Sequence, residues 1–204
     1  ETWTFNITGP VNGPITVDLA ADKVIDSAGN GNTAAAQYSL VFDNVAPTVA
    51  MTAPAMTNTN PFALTITFSK SVTGLTIAGL TVSNGTANNL ITVDNITWTA
   101  DISPAAEGLV TIDLAAAQAT DVAGNPNAAA SILNTIYDAG KPSGLLASTA
   151  SATTSISPIP VTITFDEAVA SFDATDLTVV NASVGNFVEN TTSTASQTWT
   201  FDLT

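Results

Sequence analysis

Leu64-Thr65-Ile66-Thr67-Phe68 puts three apolar side chains on one parity and two threonines on the other. A period of two is the signature of a strand with one buried face, and threonine suits the wet face of a sheet. The same reading applies to Val161-Thr-Ile-Thr-Phe165, to Thr2-Trp-Thr-Phe-Asn-Ile-Thr8, to Leu109-Val-Thr-Ile-Asp-Leu114 and to Thr198-Trp-Thr-Phe-Asp-Leu203. Glycine, proline and asparagine separate these runs, which is the punctuation of an antiparallel sandwich. The expected inward set is Leu64, Ile66, Phe68, Leu80, Val82, Trp98, Ile112 and Leu114, the members of one parity in each strand. Ala115 to Thr120 and Ala20 to Ile25 have room for one helical turn and no more.

The runs recur. Ile15-Thr-Val-Asp-Leu-Ala-Ala21 returns as Val110-Thr-Ile-Asp-Leu-Ala-Ala116, 95 residues later, and Trp3 returns as Trp98 at the same offset. So does the loop Asp26-Ser-Ala-Gly29-Asn30-Gly-Asn32, as Asp121-Val-Ala-Gly124-Asn125-Pro-Asn127. Pro61 to Phe68 returns as Pro158 to Phe165, 97 residues on. The chain is a tandem array with a unit of roughly a hundred residues, an architecture that provides reach and multivalency. The proline linkers Asp43-Asn-Val-Ala-Pro47 and Asp138-Ala-Gly-Lys-Pro142 divide it. Residues 1–45 read as the second half of a unit, 46–140 as a complete unit and 141–204 as the first half of a third. The third carries extra residues near Asn190 to Ser196.

Seventeen acids face three bases, Lys23, Lys70 and Lys141, for a net charge of −14. That balance excludes a nucleic-acid partner and an anionic membrane surface, both of which need clustered cations. It suits solubility and divalent cations. No apolar run approaches the ~20 residues of a membrane helix. Cysteine and histidine are absent. Thiol nucleophiles, Ser-His-Asp triads and the usual zinc ligands are thereby excluded. A disulfide-free module of this size points to a bacterial surface rather than to a secreted animal protein.

The motifs Pro158-Ile-Pro-Val-Thr-Ile-Thr-Phe-Asp-Glu-Ala-Val169, Leu177-Thr-Val-Val-Asn-Ala182, Trp199-Thr-Phe-Asp-Leu203 and Asp121-Val-Ala-Gly-Asn125, with a proline linker ahead of each unit, resemble the bacterial immunoglobulin-like repeats of large cell-surface adhesins. The resemblance covers nearly the whole chain. It implies an all-β fold: tandem immunoglobulin-like Greek-key β-sandwiches in an elongated array. The middle unit departs from the pattern, with Ser69-Lys70 where the third has Asp166-Glu167.

Two readings compete for the glycine loop. Asp26, Asn30 and Asn32, and likewise Asp121, Asn125 and Asn127, present oxygens to a calcium ion, with Asp43 and Asp138 adding a carboxylate at the junction. Equally, Gly29 and Gly124 supply the left-handed conformation of a turn whose aspartate accepts backbone N–H groups. Asp166, Glu167, Asp173 and Asp176 read as a solvated acidic edge rather than a catalytic pair. Trp3, Trp98 and Trp199 read as core. The expected function is a stalk segment of a bacterial cell-surface adhesin or filament, extracellular and non-enzymatic, with neighbouring repeats as partners. The alternatives are a module binding glycan or another cell surface, for which Phe62, Leu90 and Phe187 are the candidates if exposed, and an accessory domain of a secreted enzyme.

Overall fold

Alternation becomes pairing in the computed structural model, which describes residues 2–190 and 197–204. Most of the insertion expected between Asn190 and Ser196 lies outside the described residues. By its internal contacts the chain forms two units, Glu1–Ala139 and Gly140–Thr204.

The first unit opens with an antiparallel ribbon of β1 (Gly13–Val17) and β2 (Tyr38–Phe42), with Ile15 opposite Leu40. A complete sandwich follows. Its strands are β3 (Val49–Thr52), β4 (Met56–Thr57), β5 (Phe62–Phe68), β6 (Val72–Thr73), β7 (Leu80–Ser83), β8 (Gly85–Thr92), β9 (Thr97–Pro104), β10 (Gly108–Leu114), β11 (Thr120–Asp121) and β12 (Leu133–Tyr137). One sheet has the order β3-β5-β9-β8 and the other β4-β12-β10-β7, with β6 and β11 as a separate ribbon. This is the immunoglobulin arrangement of two facing sheets, antiparallel throughout except at β4. Its first strand is split: β3 pairs antiparallel with β5, and β4 crosses to the other sheet and pairs parallel with β12.

Parity fixes the core. Leu64, Ile66 and Phe68 from β5, Trp98 and Ile102 from β9, and Val110, Ile112 and Leu114 from β10 are buried. Leu80 joins them and Val82 is half-buried against them, so the inward set read from the sequence holds. Phe62 is corrected: it is a core residue at 3% exposure, because the parity of β5 extends one step further back. Leu90 and Phe187 are half-buried against cores of their own units, so none of the three is an exposed aromatic or aliphatic platform. The short helical turns are corrected as well. Asp22 and Ala117, at matching positions of the two copies, sit at φ 59° and 61°, a left-handed conformation that breaks a right-handed turn. Single 3-10 turns occur instead at Ile77–Gly79 and Ala174–Asp176.

The second unit contains one sheet of order β13-β14-β16-β15, from β13 (Gly144–Ser148), β14 (Ile159–Phe165), β15 (Val184–Glu189) and β16 (Gln197–Leu203). The order matches β3-β5-β9-β8 strand for strand. Ile163, Trp199 and Phe201 are buried on its inner face. Phe165 and Phe172 meet Trp199 edge-on at 5.7 and 5.1 Å, the geometry that ring quadrupoles favour.

Trp3 departs from the expected core role. It is 85% exposed, Phe5 is 72% exposed, and residues 2–8 form no strand. In the complete repeat, Trp98 stands on β9 between Ile66 of β5 and Thr92 of β8. Among the described residues, no strand pairs with residues 2–8 as β5 and β8 pair with β9.

Candidate functional site

The glycine loop builds itself from its own side chains. The Asp121 Oδ1 accepts the N–H groups of Ala123 and Asn125 at 3.0 and 2.8 Å, and the Asn125 side chain donates to both carboxylate oxygens. Gly124 provides φ 88°, which a side chain would resist. Asn127, fully buried, closes the loop from inside. Its Oδ1 accepts from Gln118 and Ala119, both at 2.8 Å, and its Nδ2 donates to the carbonyls of Ala115 and Ala128. The first copy repeats this with one bond fewer, the Asn30 side chain donating to Oδ2 of Asp26 alone. Asp26 accepts from Ala28, Asn30 and the Asn30 side chain, and Asn32 accepts from Lys23 and Val24 while donating to Ala20 and Thr33.

These are the bonds of a turn closed by its own side chains. In each copy Oδ1 of the aspartate and Oδ1 of the second asparagine accept peptide N–H groups, while Oδ2 of the aspartate accepts from side chains. Asp43 and Asp121 are brought together, from positions 78 residues apart in the chain, on one lysine. Asp138 is not a third member of that pair. It follows β12, with its N–H donating to the Thr57 carbonyl. Among the described residues, no three acidic, histidine or cysteine side chains group as metal ligands do.

Lys70 is the residue that sequence reading missed. Its Nζ lies 2.7 Å from Asp43 Oδ2, 2.7 Å from the Val45 carbonyl and 3.1 Å from Asp121 Oδ2. Around it the linker is tied down by hydrogen bonds to its peptide groups. The Asn125 Nδ2 donates to the Asp43 carbonyl, the Ala128 N–H to the Pro47 carbonyl, and Thr48 and Ser69 exchange two bonds. Electrostatics follow this geometry. The Asn125 amide, helped by its own N–H and by Lys70, holds the Asp121 carboxyl down to about 2. Hydrogen bonding from Lys70 lowers Asp43, and hydrogen bonding to Asp43 raises Lys70. The available signal was scarcity: Lys70 is the sole base between Lys23 and Lys141 in a strongly acidic chain.

Acids of the second unit have structural work. Asp173 and Asp176 form a reciprocal capping box around the 3-10 turn, and Asp166 Oδ1 accepts the Ser143 N–H at 2.8 Å.

A family model described as the bacterial Ig-like domain matches the chain twice, over residues 43–137 and 138–204. No curated protein matches it, and no solved structure does.

Proposed function

Because the chain belongs to the bacterial Ig-like domain family, whose members are typically extracellular structural modules, we propose that it is a spacer: a stalk segment of a bacterial surface adhesin or filament that holds a distal binding region away from the cell. The observation that supports this reading is the pinned joint. A complete sandwich is tied to the preceding repeat segment by a proline linker whose carbonyls at Asp43, Val45 and Pro47 all accept bonds from the sandwich. A stalk needs such restraint, because a freely jointed array gains length only as the square root of its repeat number. The two glycine loops, 95 residues apart, repeat one geometry, as a periodic support does. The binding-module reading loses two of its named candidates, since Phe62 is buried and Phe187 packs on Phe172 and Phe201.

Small-angle scattering on proteins with increasing numbers of this repeat tests the proposal. The maximum dimension should rise in proportion to the repeat count. A dimension that levels off as repeats are added would sink the spacer reading.

A further inference from the structure

We propose that Lys70 is the lock of this joint, an internal cation that fixes the linker to the sandwich without a bound metal ion. Three oxygens converge on its Nζ from segments far apart in sequence: Asp43 and Val45 in the linker, and Asp121 in the glycine loop. An ammonium has three N–H donors and no acceptor, so three oxygens saturate it. Two carboxylates this close would repel each other, and the charge of −14 adds to that repulsion. Lys70 supplies the cation that lets them meet. The pair with Asp121 is shielded, the Asp121 side chain being 3% exposed. The pair with Asp43 is about a third exposed, and an exposed pair alone contributes little to stability. The role of Lys70 is therefore geometric. It sets where residues 1–42 leave the sandwich, with Pro47 restricting the backbone beside it.

The matching position of the third repeat holds Glu167. Position 70 thus carries opposite charge in two repeats that share a sheet order, so the lock is a property of this joint and is not built into the fold.

The use of a lock rests on the spacer reading, and the two fail separately. The chain has no cysteine, so spin labels at Ser39→Cys on β2 and Thr99→Cys on β9, both exposed, report one distance across the joint. The native chain should give a narrow distance distribution that a chelator leaves unchanged. Lys70→Met keeps the aliphatic stem and removes the ammonium, and should broaden the distribution about twofold, toward that of a flexible linker. Asp43→Asn weakens the lock from the linker side, outside the sandwich, and should broaden it too; it serves if Lys70→Met folds poorly. Narrow distributions in both variants would overturn the lock and leave the spacer standing. A native distribution that widens in chelator would also overturn it, since a metal would then hold the joint. A native distribution already broad would remove both proposals.

Discussion

Trp3, Trp98 and Trp199 hold one position in three copies of a repeat, and only the last two are buried, at 8% and 4% exposure against 85% for Trp3. All three follow a threonine and precede Thr-Phe or Thr-Ala in an alternating run. The motif therefore specifies an amphipathic strand and leaves burial to the neighbours. Trp98 has β5 and β8 on either side, and Trp199 has β14 and β15. The glycine loops teach the opposite lesson. Asp26 to Asn32 makes the bonds of Asp121 to Asn127 although the first loop is exposed and the second packs on a core. Loop geometry is local and transfers with the sequence, whereas burial is not and does not.

The contrast can be broken most forcefully at the tryptophans. Trp98→Ala should cost about 3–5 kcal/mol, as for other buried aromatic truncations, whereas Trp3→Ala should stay within about 0.5 kcal/mol. Urea unfolding followed by circular dichroism measures both, and equal costs would show that Trp3 is buried in solution.

A smaller difference is expected at the loops. Asn127→Ala leaves one buried and three partly buried peptide groups without their partner and should lose about 1–3 kcal/mol. Asn32→Ala removes the same four bonds where water can replace them, so its cost should be under half as large in the same unfolding measurement.

Acid sharpens the comparison further. The Asp121 carboxyl titrates near 2 in the folded chain, below its unfolded value. A lowered value means stability that is complete above the unfolded value and drains away as the pH falls through the folded one. The urea midpoint of the sandwich should thus drop between about pH 4 and pH 2, and Asp121→Asn should flatten that part of the profile. Asp26 is shifted in the same direction by its Asn30 bonds.

The smallest effect concerns Thr135, buried on β12 with its hydroxyl unpaired among the described residues, where the first copy has Leu40. Thr135→Val should stabilise by about 1 kcal/mol, read from the melting midpoint.

Much of this was legible because period-two alternation and a period near a hundred are written in the chain itself. Leu64, Ile66 and Phe68 need no partner to declare their face. The turn and calcium readings of the loop could not be separated on residue types, because aspartate and asparagine oxygens serve both. What the coordinates add is the bonding of the turn itself, with Oδ1 of Asp121 and of Asn127 accepting peptide N–H groups. Lys70 was invisible for a different reason. Its partners lie 27 and 51 residues away, and no local pattern marks a contact made by folding. The same holds for Asn89 and Asn186. They occupy left-handed positions at the bulges beside β9 and β16 and donate to Asp101 and Asp202, both at 2.7 Å. Asparagine inside a strand hinted at irregularity, but its anchor on the next strand was not readable.

The split first strand bears on how the sandwich meets a pull along the chain. Tension enters at the linker before β3 and leaves after β12. Strand β4 runs parallel to β12, with Met56 beside Ile136 and Thr57 beside Tyr137. Opposed forces on the start of one and the end of the other make the two strands slide lengthwise. The bonds from Ile136 to Ala55 and from Asp138 to Thr57, 2.9 and 3.0 Å long, are then loaded together in shear. An antiparallel pair pulled from its open end would instead unzip one bond at a time.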